Sequence, residues 1–134
     1  MKNEQHVFVV DDDFSTRLSL TRLLNAAGFI VHSFVSFMAF MEFIRPMEFI
    51  NQEKNGCILL DARIPGFETT ELKEKLSKSD QKLVVIFITS DDDEKTRMLA
   101  RELNAVGFFR KPVDGIALLD AIKWALKSNK TISD

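Results

Sequence analysis

The sequence predicts an α/β fold, a doubly wound parallel sheet with helices on both faces, and two observations carry that expectation. The first is a set of five short apolar runs, at residues 6–10, 29–33, 57–60, 83–88 and 106–109, rich in Val, Ile, Leu and Phe at successive rather than alternate positions. Strands of that kind are covered on both sides, as parallel strands are. The second is that stretches with helical spacing fill the gaps between the runs. Such an alternation folds with right-handed crossovers into an open sheet. At 134 residues the chain fits one domain. Its expected extent is residues 1–128, with 129–134 as a tail or the start of a linker, and the final SNKTISD reads as frayed.

The first run, HVFVV, gives way to Asp11, Asp12 and Asp13, and Asp13 can cap the helix that follows. That helix, residues 14–27, places Leu20, Leu23, Leu24 and Ala27 on one face and stops at Gly28, a natural C′ glycine. After the second run, Phe34, Phe37, Phe40 and Phe43 recur every three residues, with Met38 and Met41 between them. A strip for stacking a cofactor fits that spacing, but a helix face turned to the core is the plainer reading. Ser36 is placed to cap this helix and Pro46 to end it. Residues 45–55, with Pro46, Asn51 and Asn55, read as an irregular connection. The third run ends in Asp61, and the chain turns soon after at Ile64-Pro65-Gly66. A shorter helix over residues 68–77 carries Leu72 and Leu76. Residues 92–103 put Leu99 and Leu103 four apart, and residues 113–127 put Leu119, Ile122 and Leu126 at helical spacing behind Pro112.

Composition narrows the function classes. Hydrophobic residues at 46% and charged residues at 28% suit a globular domain with a full core. A net charge of −2 supplies no basic field for nucleic acid or an anionic membrane surface, so neither is an expected partner. No apolar stretch approaches the roughly 18 residues of a membrane span, and MKNEQ is not a signal-peptide core. The expected location is the cytoplasm. Cys57, the one cysteine, lies in an apolar run and reads as a small buried hydrophobe.

In a doubly wound sheet, ligands bind beyond the carboxyl ends of the strands, where strand order reverses. The residues that follow the runs are Asp11, Asp12 and Asp13, then Asp61, then Thr89 and Ser90, then Lys111-Pro112. Each alone has an ordinary structural explanation as a cap, a turn residue or a solvated cation. Together they would bring carboxylates, a hydroxyl and an ammonium to one edge. Clustered carboxylates repel one another and recruit a cation, and oxygen-only ligands with room for water suit Mg²⁺. A carboxylate beside Mg²⁺ can attack phosphorus to give an acyl phosphate, while a lysine and a hydroxyl stabilise the transferring group. An EF-hand over Asp11-x-Asp13 fails, because its sixth position is Thr16 and its twelfth Arg22. A dehalogenase-type phosphohydrolase would share the DDDFS start. It would also need an acidic pair after a further strand, and only Asp114 and Asp120 follow Lys111, both in a helical pattern.

The segments VFVVDDD, LLDARIPG, VIFITS and GFFRKP resemble the receiver domain of two-component response regulators, from residue 7 to 126. The intervals of 28 residues from Asp61 to Thr89 and 22 from Thr89 to Lys111 are typical of that family. The wording is most similar to receivers of nitrogen-fixation and aromatic-degradation regulators. The resemblance implies a flavodoxin-like (βα)5 fold with strand order 2-1-3-4-5. Asp61 would accept phosphate from a sensor histidine kinase or phosphotransfer protein. Asp11, Asp12, Asp61 and the Arg63 backbone carbonyl would hold Mg²⁺. Thr89 would be the switch hydroxyl, Lys111 the phosphate-pairing cation and Phe108 the moving aromatic. Small Ser90 would leave the donor a path. No enzymatic turnover is expected beyond self-phosphorylation and self-dephosphorylation.

Four departures stand out. The 49 residues from Asp12 to Asp61 are several more than usual, Thr69 and Asn104 stand where glycines are common, and Asp91-Asp92-Asp93-Glu94 is unusually acidic. None removes a chemical residue. The expected output surface is the fourth helix, fifth strand and fifth helix, including Met98, with Phe109 and Trp124 both open between core and surface. Phosphorylation would drive homodimerisation through this face. A phosphorylation-independent interaction module on the same fold is the alternative.

Overall fold

The computed structural model describes residues 5–46, 55–78, 82–91 and 93–132. Five parallel strands form one sheet: β1 (Gln5–Val10), β2 (Ile30–Phe34), β3 (Asn55–Asp61), β4 (Lys82–Thr89) and β5 (Gly107–Arg110), in the order β2-β1-β3-β4-β5. Between them run α1 (Phe14–Ala26), α2 (Phe37–Ile44), α3 (Thr70–Lys78), α4 (Glu94–Glu102) and α5 (Gly115–Ile132). The flavodoxin-like (βα)5 expectation is met in topology and strand count.

The strands are apolar on both faces because both are covered. Val7, Val9, Cys57, Leu59, Val84, Ile86 and Ile88 pack against Leu20 and Leu24 of α1 and Leu118, Ile122, Ala125 and Leu126 of α5. The alternate positions, Phe8, Val10, Ile58, Leu60, Val85 and Phe87, pack against Phe37, Phe40, Met41 and Ile44 of α2 and Leu72 of α3. The edge strand β2 departs from the pattern, with Ile30 and Ser33 exposed. Cys57 is fully buried, and burial pushes its thiol far up from its ordinary range.

Local signals set the helix ends. The Asp13 side chain accepts from the Thr16 N–H, that of Ser36 from Ala39 and that of Asp93 from Thr96. Gly28 has φ +95°, as a C′ glycine should, and Asn104 takes φ 54°, the left-handed conformation Asn tolerates.

Several boundaries differ from expectation. Phe34 ends β2 and does not belong to the helix. Its ring still meets Phe40 at 5.5 Å and Phe43 at 5.2 Å, because the chain turns between strand and helix. In α2, Phe37, Phe40 and Met41 are buried while Met38 and Phe43 are exposed, which makes this a core face and not a stacking strip. Asn55 opens β3 and is not part of an irregular connection; residues 47–54, with Asn51, lie outside the described residues, as does Asp92. α5 starts at Gly115 and not Val113, because the Asp114 carboxylate accepts from the N–H groups of Ile116 and Ala117. It runs to Ile132, so most of the supposedly frayed SNKTISD is helical; no glycine or proline interrupts it.

Candidate functional site

The strand order reverses between β1 and β3, since the chain steps out to β2 before returning. The register sets the residues at that reversal side by side. Val10 pairs with Leu60, so Asp11 and Asp61 follow as neighbours, and Asp61 pairs with Ile88, one residue before Thr89. On the far side Thr89 pairs with Arg110, and Lys111 follows directly, its N–H donating to the Thr89 carbonyl at 2.8 Å.

Three carboxylates converge there. Asp11, Asp12 and Asp61 each present an oxygen, all within 4.8 Å of one another; Asp11 and Asp61 are buried and Asp12 is exposed. Lys111 Nζ lies 2.8 Å from Asp11 Oδ2 and 3.2 Å from Asp61 Oδ2. Burial pushes the Asp11 carboxyl above its ordinary range, although Lys111 and a 2.8 Å bond from the Asp13 N–H pull the other way. Burial opposes the charge on Lys111 too, but the two carboxylates outweigh it and hold the ammonium above its ordinary value. One ammonium against three carboxylates leaves negative charge to neutralise. An all-oxygen donor set with one exposed member suits a hard divalent cation that keeps water, so the cluster fits Mg²⁺.

The remaining predicted residues lie around this cluster. Thr89 is fully buried, and its hydroxyl donates to the Asp91 carbonyl at 2.9 Å. Ser90 is exposed. Phe108, half-buried, stacks on Phe87 with centroids 6.4 Å apart, and the Arg97 guanidinium lies 5.8 Å from its ring centre. The Arg63 N–H donates to Asp61 Oδ1 at 2.9 Å.

The pattern of the response regulator receiver domain matches residues 7–123. The chain belongs to that family. The receiver is 31% identical over 127 residues to the transcriptional regulatory protein FixJ of Bradyrhizobium diazoefficiens, an alignment covering 95% of this chain and 59% of the relative. It is 34% identical over 132 residues to the transcriptional regulatory protein TdiR of Thauera aromatica, covering 98% of this chain and 56% of the relative. Among solved structures, response regulator StyR superposes with a TM-score of 0.75 at 38% identity, over 97% of this chain and 63% of that one. The receiver therefore spans between half and two thirds of the length of these relatives.

Two receiver residues gained partners that no motif indicated. Arg17 Nη1 donates to the Asp11 carbonyl at 2.9 Å, tying α1 to the acidic corner. The Arg63 side chain pairs with Asp91 on the next loop. Arg63 was singled out for its backbone alone, and nothing local to either residue announces the pair. The acidic loop is in part a helix start, since Asp93 caps α4. Trp124 on α5 is surface and not core, with 67% of its area exposed; Met98 is exposed, and Phe109 is half-buried against the α1–α5 side. Among the described residues, no helix is long and apolar enough to cross a membrane.

Proposed function

We propose that this receiver takes a phosphoryl group onto Asp61 from a sensor histidine kinase or phosphotransfer protein in the cytoplasm, and reports the change through the α4–β5–α5 face. The observation that carries this is the placement of Asp61: a buried carboxylate at the strand-order reversal, 3.2 Å from Lys111 Nζ and grouped with Asp11 and Asp12. An Asp61 oxygen attacks phosphorus, the bond from phosphorus to the donor's imidazole nitrogen breaks, and the imidazole leaves with that electron pair. Asp11, Asp12, Asp61 and the Arg63 carbonyl would hold Mg²⁺, which would supply charge neutralisation at the site. Lys111 turns from its carboxylate partners toward the new phosphoryl group. The Thr89 hydroxyl leaves the Asp91 carbonyl to donate to a phosphoryl oxygen, a charge-assisted bond stronger than the one it gives up. That movement opens space beside Phe108 and biases a two-state element. Exposed Ser90 leaves the donor's approach clear. Hydrolysis of the adduct at the same site would reset the module, and the relatives, named as transcriptional regulatory proteins, point to transcription control as the output.

Incubation with Mg²⁺ and acetyl phosphate or phosphoramidate should add the mass of one phosphoryl group, and Asp61→Asn should remove that gain while keeping the fold. Full labelling of the Asn variant would reassign the acceptor. No labelling of the unaltered chain would favour a phosphorylation-independent module.

A further inference from the structure

The hydroxyl of Thr89 is tied to a loop that a second loop holds down. Thr89 Oγ1 donates to the Asp91 carbonyl at 2.9 Å and accepts from the Asp91 N–H at 3.1 Å. A hydroxyl has one proton to give, so in this state Thr89 has none for a group on Asp61. The Asp91 carboxylate pairs with Arg63 Nη1, and Asp93 Oδ2 lies 3.8 Å from the same nitrogen. Arg63 also donates its backbone N–H to Asp61 Oδ1. A single residue thus touches the acceptor through its backbone and the switch loop through its side chain.

We propose that Arg63 is a positioning residue for the switch: its guanidinium clamps Asp91 across the mouth of the site and so holds the Thr89 proton on the Asp91 carbonyl in the unphosphorylated chain. The assignment rests on the phosphoacceptor reading above. The clamp joins the β3–α3 loop to the β4–α4 loop, so Asp91 cannot shift freely, and Thr89 turns inward only when that restraint is overcome. Because the two side chains are 51% and 54% exposed, the restraint is modest and sensitive to salt. An exposed ion pair moves a two-state population by roughly two- to fivefold. The clamp therefore biases the switch without locking it.

The test reads Thr89 directly, in the Mg²⁺-free, unphosphorylated chain with labelled threonine methyls. In the unaltered protein, raising NaCl from low concentration to 1 M should move the Thr89 methyl resonance toward its position in the beryllofluoride–Mg²⁺ form. Arg63→Gln should start displaced in that direction and no longer respond to salt. The exchanged pair, Arg63→Glu with Asp91→Arg, should restore the unaltered resonance. The beryllofluoride concentration at half-saturation should fall roughly two- to fivefold in Arg63→Gln. A Thr89 resonance in Arg63→Gln that coincides with the unaltered protein at every salt concentration would overturn the proposal, as would failure of the exchanged pair to restore it. The salt response needs no adduct on Asp61, so it separates failure of the clamp from failure of the phosphoacceptor reading.

Discussion

Lys111 sits 2.8 Å from Asp11 and 3.2 Å from Asp61, and one ammonium cannot neutralise both. Asp11, fully buried, bears the larger cost, and its carboxyl is raised above the ordinary range. A folded chain with a raised carboxyl holds its proton more tightly than the unfolded chain does. The stability this contributes is present below the ordinary carboxylate range and is lost as pH rises through the raised value. In EDTA, the stability of the unaltered chain relative to Asp11→Asn should accordingly rise as pH is lowered from neutrality toward the carboxylate range. Thermal melts across that window would check it, and a constant difference would contradict the raised value. Thr89 gives a second prediction on this scale. Thr89→Ala should still gain the phosphoryl mass, because the acceptor is intact, but its amide spectrum should respond to phosphorylation far less around Phe108. A full response would disconnect the hydroxyl from the aromatic.

Among the elements, α5 depends on a cap that the sequence reading passed over. The Asp114 carboxylate accepts from the N–H groups of Ile116 and Ala117 at 3.0 and 3.2 Å, and α5 supplies Leu118, Ile122, Ala125 and Leu126 to one side of the core. Asp114→Ala should cost about 1 kcal/mol, measurable by urea denaturation, whereas Asp114→Asn should cost less because Asn caps comparably. On the opposite side of the sheet, α2 is tied to α3 by the two-pronged pair of Arg45 Nε and Nη2 with Glu71. Both partners are exposed, so that pair orients the helices more than it stabilises them.

At the scale of the whole molecule, the carboxyl edge of the sheet carries the acidic cluster, and α4 and α5 carry exposed Met98 and Trp124 beside charges of both signs: Arg97, Arg101 and Glu102, and Asp120, Lys123 and Lys127. Exposed apolar side chains framed by mixed charge are suited to an isologous contact. The receiver should be monomeric alone and self-associate when beryllofluoride and Mg²⁺ occupy the site. Light scattering with and without them would show it, and an unchanged monomer at high concentration would direct the search to a different protein as partner.

Order and type of element were legible in the sequence because they rest on local pattern: runs apolar at successive positions for the strands, spacings of three and four for the helices, and Gly28, Ser36 and Asp13 at the ends. The convergence of Asp11, Asp12, Asp61 and Lys111 was legible for a related reason. Parallel strands run in one direction, so whatever follows each carboxyl end must lie along one edge of the sheet. Contacts made between loops had no such signature. Arg63 and Asp91 are 28 residues apart on different loops, and neither shows a periodicity that reveals the other. Phe34 was placed in a helix because spacing of three continues across a turn that only the backbone's path reveals. Trp124 was undecided because an amphipathic helix does not declare how wide its buried stripe is. That width is set by how closely α5 lies against the sheet and α1, and it left Trp124 in solvent.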